Sequence, residues 1–172
     1  MNGPIDAELL GRLLDEHGAA LALYASQWTD AADDCVQEAL VELARQPQAP
    51  DHAVAWLYRV VKNRALNAAR GSRRRRERET RAMADRFAVV QQSAAFDRDA
   101  SLAAIEALEQ LETDDRELVV MRIWGGLKYD EIAVALAIST SSAHRQYERA
   151  LTKLRQILET PCSTNTNRPS SK

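Results

Sequence analysis

The sequence predicts an almost all-α protein made of two small helical domains, and three observations support this fold class. Hydrophobic residues make up 45% of the chain and aromatic residues only 5%, while Ala, Leu, Arg and Glu, all good helix formers, dominate. Apolar residues recur at helical spacing in two separate sets, and 172 residues are enough for two small domains. A stretch without strong periodicity separates the two sets and predicts a flexible linker at residues 80–100.

The first domain, residues 1–79, is predicted to contain three helices joined by short connections. Leucines at helical spacing predict the first from residue 6 to about residue 27, either as one helix or as two that meet at Gly18. Thr29 or Asp30 is expected to cap the second helix, and Asp51 the third. Gly71 and an arginine run at residues 73–76 follow the third helix. The predicted buried stripes are Val36, Ala39, Leu40 and Leu43 on the second helix and Val54, Leu57, Val61, Ala65 and Ala68 on the third.

The second domain, residues 101–160, begins with a stripe that includes Leu102, Ile105, Leu108 and Leu111. Asp114 and Glu117 have the spacing of a capping box in front of the next helix, which Gly125 and Gly126 end. Two further helices are predicted at about 129–136 and about 140–158. The tail at 161–172 is rich in Ser, Thr, Asn and Pro and is expected to be disordered.

Charge is distributed unevenly along the chain, although the net charge is only -2. Residues 1–55 hold 2 basic and 10 acidic side chains, whereas residues 56–86 hold 11 basic and 3 acidic ones. An acidic segment beside a basic one suggests two partners of opposite charge, and nucleic acid is the usual partner of a basic segment. A highly charged, solvated surface is the alternative interpretation.

Several classes of protein are disfavoured by what the sequence lacks. The two cysteines, Cys35 and Cys162, predict neither a disulfide framework nor a metal site, and they fit a reducing cytoplasm. The sequence has no leader-like start and no run of about 18 apolar residues, so a cytoplasmic protein without a membrane span is expected. No phosphate loop, nucleophile arrangement or metal cluster is recognisable, which predicts no enzymatic activity and no cofactor.

Residues 129–145 have the layout of a DNA-binding helix-turn-helix. Ile132 and Leu136 face inward, small residues at Ala133 and Ala143 let the helices cross closely, and Ser139 can cap the second helix. An ordinary helical hairpin is the alternative interpretation. The face expected to enter a major groove consists of Thr140, Ser141, His144, Arg145 and Glu148, with Arg149 and Lys153 along its flank to hold phosphates.

Two stretches together resemble the extracytoplasmic function group of the sigma-70 family. The first is Asp-Asp-Cys-Val-Gln-Glu-Ala-Leu-Val-Glu-Leu-Ala at 33–44, followed by Trp-Leu-Tyr-Arg-Val-Val-Lys-Asn-Arg-Ala-Leu-Asn-Ala-Ala-Arg at 56–70. The second, at 108–154, carries Asp-Glu-Ile-Ala from residue 130 and Arg-Ala-Leu from residue 149 at the spacing of that family. The resemblance covers about three quarters of the chain. It implies a subunit that binds core RNA polymerase and promoter DNA, with an anti-sigma factor as a further candidate partner.

The resemblance also assigns roles to individual residues. Asp34, Gln37 and Glu38 match the acidic helix that docks on the largest polymerase subunit. The second domain matches the part that binds the minus-thirty-five element. The third helix matches the part that binds the minus-ten element. Its candidate DNA-binding residues are Trp56, Arg59, Lys62, Asn63, Asn67, Arg70, Arg73 and Arg74.

The chemistry of this third helix suits an unpaired strand, because Arg attracts phosphate, Asn can bind base edges and an aromatic ring can stack on a base. Trp56 has a second interpretation as a core residue, since large aromatics are usually buried. The sequence departs from the family pattern at several positions. Asn67 replaces a usual Asp, Glu112 a common Pro and Ala137 a usual Gly, and Ser142 with Ala143 is smaller than the usual Thr-Val pair. A free-standing helix-turn-helix regulator is the alternative function, although it would have no need of the 33–44 and 56–70 stretches.

Overall fold

The computed structural model describes residues 5–79 and 106–159, and every regular element within those ranges is helical. The all-α, two-domain prediction is therefore confirmed. The predicted linker at 80–100 and tail at 161–172 lie outside the described residues, as do Leu102 and Ile105. The helices are α1 (Ala7–Ala25), α2 (Ala32–Ala44), α3 (Ala53–Glu79), α4 (Thr113–Val119), α5 (Tyr129–Leu136) and α6 (Thr140–Glu159), with a π-helical turn at Val120–Trp124 after α4.

The first helix is continuous. The Asp6 carboxylate caps it by accepting a hydrogen bond from the Leu9 N–H at 2.8 Å, which satisfies one of the free N–H groups of the first turn. Gly18 does not divide the helix, because a single glycine costs a helix interior only about 1 kcal/mol and the neighbouring turns are held by buried residues such as Leu21. Of the two predicted arrangements, one long helix is observed.

The second helix begins later than predicted, at Ala32, and no side chain caps it. The Thr29 hydroxyl accepts a hydrogen bond from the Ala31 N–H at 3.2 Å, so it holds the turn that precedes the helix. The predicted cap at Thr29 or Asp30 is therefore wrong. The negative charges of Asp33 and Asp34 in the first turn instead favour the helix N-terminus through the helix dipole.

The third helix extends further than the sequence indicated, because it continues through Gly71 to Glu79. The arginine run at 73–76 therefore belongs to the helix, and the side chains of Arg73 and Arg74 lie outside the described set. Arg and Glu are good helix formers, so a polar helix of this composition tolerates one glycine. The buried side of α3 consists of Ala55, Leu57, Tyr58, Val61 and Ala65.

The capping box predicted at Asp114 and Glu117 is absent. Helix α4 starts at Thr113 without a side-chain cap, and the Glu117 side chain is only 3% exposed and points to the first domain. The N-terminus that an acidic side chain does close is that of α5, where Glu131 Oε2 accepts the Lys128 N–H at 2.8 Å.

The helix-turn-helix elements follow the prediction closely. Gly126 has a φ of 66°, which suits a glycine where the preceding helical turn ends. Ser139 caps α6 by accepting a hydrogen bond from the Ser142 N–H at 3.2 Å, and Ala133 and Ala143 are buried where the two helices cross. The turn contains Ala137 in the left-handed region, with φ 55° and ψ 44°.

The two domains share one hydrophobic core. Tyr24 and Tyr58 of the first domain belong to the same buried cluster as Met121, Leu127 and Ile132 of the second. A smaller cluster inside the second domain is formed by Leu108, Leu111, Val119 and Ala150. The second domain thus packs directly on α1 and α3, which carry several of the predicted functional residues.

Candidate polymerase and nucleic-acid interfaces

The acidic face of α2 consists of Asp34, Gln37 and Glu38, all exposed, while Cys35, Val36 and Ala39 on the opposite side are buried. This is the arrangement that the sequence predicted for a docking surface. Val41 continues the face by one turn and is 49% exposed. The sequence reasoning missed Val41, although its spacing of seven residues from Asp34 places it on the same side of a helix.

Arg64 of α3 fixes one end of the acidic face. Its guanidinium donates hydrogen bonds to the carboxylates of Glu38 and Glu42. Burial opposes the charge of Arg64, but the interactions with Glu42 and Glu38 outweigh that effect and raise its pKa. Asp34 and Gln37 are the part of the face that is not tied into this network by any hydrogen bond or ion pair found among the described residues.

The outer side of α3 presents a basic and amide-rich face. Arg59, Asn63, Asn67 and Arg70 are all exposed, at positions that follow one side of the helix. Arg70 Nη1 donates to Asn67 Oδ1 at 3.3 Å, a long contact on the surface that an incoming ligand could replace. The face therefore combines cationic groups with amides that can both donate and accept hydrogen bonds.

Trp56 has an intermediate position between the two interpretations of the sequence. Its ring is partly buried against the shared core, and it also lines a cleft between the domains. Pro50, His52 and Arg59 of the first domain and Val134 of α5 form other parts of the cleft lining. An aromatic wall beside an arginine is a suitable surface for stacking a base.

Lys62 lies on the same helix but is engaged by the other domain. Its ammonium lies 2.7 Å from Glu117 Oε1 and donates to Oε2 at 2.8 Å, and it stands 5.7 Å from the centroid of the Trp28 ring. Tyr24 donates a third hydrogen bond to Glu117 Oε2 at 3.1 Å. Burial, and then the charge of Glu117, raise the pKa of Tyr24 well above its usual range.

The predicted recognition helix, α6, presents its first turns to solvent. Thr140, Ser141, His144, Arg145 and Glu148 are all exposed. Two of these residues contact their own domain. Arg145 Nη2 donates to Ser142 Oγ at 3.3 Å, and the His144 ring meets the Tyr129 ring edge-on at 4.9 Å between centroids.

The flanking cations of α6 hold a buried carboxylate. Asp115, whose side chain is 2% exposed, accepts hydrogen bonds from Arg149 Nη2 at 3.3 Å and from Lys153 Nζ at 2.6 Å. The hydrogen bond to Asp115 raises the pKa of Lys153. Sequence reasoning missed Asp115, because its partners lie 34 and 38 residues away and no local pattern connects them.

No other type of site competes with these surfaces in the part of the chain that the structure describes. No group of three or more His, Cys, Asp or Glu side chains is arranged to hold a metal ion there. None of the described helices is both long and apolar enough to span a membrane.

Comparisons with known proteins match both domains. Residues 12–75 match the family described as Sigma-70 region 2, and residues 101–154 match Sigma-70, region 4. The chain is 30% identical to the ECF RNA polymerase sigma factor SigL of Mycobacterium tuberculosis, across 90% of this chain and 91% of the relative. It is 32% identical to the sigma factor CarQ of Myxococcus xanthus, across 61% of this chain and 60% of the relative.

Two solved structures share the fold. The sigma factor RpoE, in complex with the anti-sigma factor NepR from Bartonella quintana, superposes with a TM-score of 0.66 at 20% identity, over 91% of this chain and 99% of that one. CnrH, in complex with the cytosolic domain of CnrY, gives a TM-score of 0.59 at 24% identity, over 91% of each chain. The chain belongs to the extracytoplasmic function group of the sigma-70 family, whose members bind core RNA polymerase and direct promoter recognition and transcription initiation.

Proposed function

We propose that this sigma factor divides its work among three surfaces. The acidic face of α2 docks on core polymerase, the outer side of α3 holds the unpaired minus-ten strand, and the first turns of α6 contact the minus-thirty-five element. Residues 1–79 form the first functional unit and 101–160 the second, joined by a linker at 80–100. The observation that carries this proposal is the exposure of all three surfaces opposite buried faces of the same helices.

On α3 the proposal rests on side-chain chemistry. Arg59 and Arg70 supply charge for phosphates, while Asn63 and Asn67 can hydrogen-bond to base edges. Trp56 offers one face of its ring to the cleft, where a base separated from its partner can stack. Arg73 and Arg74 extend the cationic track along the same helix, and a run of arginines supplies phosphate attraction more than base selection.

On α6 the proposal separates base contact from attachment. Ser141, Arg145 and Glu148 lie near the N-terminal end of the helix, the end that enters a major groove in helix-turn-helix proteins. Arg149 and Lys153 lie further along and are already paired with Asp115, so their outward N–H groups suit the DNA backbone. His144 packs on Tyr129, which favours a supporting role near Thr140 over a base contact of its own.

We propose further that the protein acts in the cytoplasm, that it performs no covalent chemistry, and that an anti-sigma factor binds it. Support for the last point comes from the two solved structures of similar fold, which are described as complexes with NepR and with the cytosolic domain of CnrY. A free-standing regulator is not favoured. Such a protein would need the second domain alone, whereas the match to Sigma-70 region 2 covers residues 12–75.

The docking surface can be tested by charge reversal at Asp34. This position is cleaner than Glu38, because a lysine at 38 would also face Arg64. Asp34→Lys is expected to weaken binding to core polymerase by about tenfold or more, since like charges across an interface are strongly unfavourable. Asp15→Lys, at an exposed position on α1, is the matched control and should bind as the wild type does. Equal affinities for all three proteins, with helicity intact, would refute the assignment.

A further inference from the structure

The second domain lies against the helix proposed to hold the separated strand. We infer that this is a closed state, held by the Glu117–Lys62 ion pair, which must open before Lys62 and Trp56 can take a DNA strand. The inference rests on the proposed strand-binding role of α3. Three features of the contact between the domains support it, and each concerns different atoms.

The first feature is the ion pair itself. Both carboxylate oxygens of Glu117 lie within 2.8 Å of Lys62 Nζ, at a site where the Glu117 side chain is 3% exposed and the Lys62 side chain 32%. An ammonium held by two anionic oxygens has little capacity left for a phosphate. Glu117 therefore occupies the position on Lys62 that a DNA phosphate would take, and closure and strand binding compete for one cation.

The second feature is the cleft at Trp56. Val134 of α5 lines the cleft that Trp56 and Arg59 also line, so the second domain forms part of its wall. Val134 itself is 43% exposed, which shows that the contact there is loose. A base stacking on Trp56 needs room beside the ring, and movement of α5 away from α3 provides it. Closure therefore restricts the strand-binding face at a second point besides Lys62.

The third feature is the apolar contact around Tyr58. A Cβ on Gly125 would collide with the Tyr58 hydroxyl, so the close approach of the domains here depends on a glycine. Tyr58 Oη is buried, yet it has no hydrogen-bond partner among the described residues. A buried hydroxyl without a partner is unfavourable. The interface is thus closely fitted but carries a cost, as expected of a contact that opens and closes.

The test uses the full chain with Glu117→Gln, which keeps the size of the side chain and removes its charge. Glu109→Gln is the control, because it makes the same change at an exposed position of the same domain. The probes are the radius of gyration in solution and the affinity for a mixed-sequence single-stranded DNA of about 12 nucleotides. Glu117→Gln should raise the radius of gyration and bind the DNA roughly tenfold more tightly, because apparent affinity scales with the open fraction. Glu109→Gln should match the wild type in both.

Tyr24→Phe provides a milder variant in case Glu117→Gln does not fold. It removes one hydrogen bond to the Glu117 carboxylate and keeps the ion pair, so an intermediate gain in DNA affinity is expected. The inference is overturned if a folded Glu117→Gln protein has the same radius of gyration and DNA affinity as the wild type. If the radius rises while no variant binds DNA, the closed state stands and the proposed role of α3 fails.

Discussion

Ala137 is a position where the sequence works against its own backbone, and replacing it should stabilise the protein. Its φ of 55° and ψ of 44° place it in the left-handed region at the end of α5. A residue with a Cβ pays roughly 1–2 kcal/mol in that conformation, whereas glycine adopts it freely. Glycine also increases the entropy of the unfolded chain, which offsets part of the gain. Because Ala137 is exposed, little packing is lost, and the net effect expected for Ala137→Gly is about 1 kcal/mol of added stability.

Thermal unfolding followed by far-UV circular dichroism measures this effect. A gain of about 1 kcal/mol corresponds to a rise in Tm of about 2–4 °C for a chain of this size. Ala19→Gly is the matched control, since Ala19 is exposed in the interior of α1, where glycine should cost about 1 kcal/mol. The same substitution should therefore shift Tm in opposite directions at the two positions. A fall at both would refute the assignment of strain to Ala137.

Three further predictions concern the site. Arg145→Ala should cost about 1–3 kcal/mol on the preferred upstream element and relax the choice of base, whereas Lys153→Ala should weaken all sequences alike; a panel of elements with single base changes, at fixed salt, distinguishes the two. Asp115→Asn should lower Tm by several degrees, because Arg149 and Lys153 lose their shared carboxylate; an unchanged Tm would show that the pairs are dispensable. Burial, and then Glu117, raise the pKa of Tyr24, so its contribution to stability is complete below about pH 10 and is lost as the pH rises further. Tm measured against pH should fall less steeply in this range for Tyr24→Phe than for the wild type.

The features that the sequence predicted correctly are those fixed by residues close together in the chain. The bounds of α5, the Ser139 cap and the break at Gly126 each depend on side chains or backbone within one or two turns. Helical periodicity likewise placed the buried stripes of α2 and α3, and it put Asp34 and Gln37 on the exposed side. These elements need no knowledge of tertiary contacts.

The features that the sequence did not reveal depend on residues far apart. Glu117 has the spacing of a capping box with Asp114, but its carboxylate binds Lys62, which lies 55 residues earlier. Because the energy of a buried ion pair exceeds that of an exposed cap, the tertiary contact determines where the side chain goes. Gly71 was expected to follow the third helix and instead lies within it, since one glycine is a weak signal in a long run of good helix formers.

The central claim is that the chain gives core RNA polymerase the ability to initiate at promoters, and run-off transcription tests it directly. Core enzyme, a set of genomic promoter fragments and the full-length protein should yield discrete transcripts that core enzyme alone does not make. Asp34→Lys should reduce these transcripts, while Asp15→Lys should leave them unchanged. If the wild-type protein adds no promoter-specific transcript and does not bind core enzyme, while it still binds double-stranded DNA, the sigma-factor account would be contradicted in favour of a free-standing regulator.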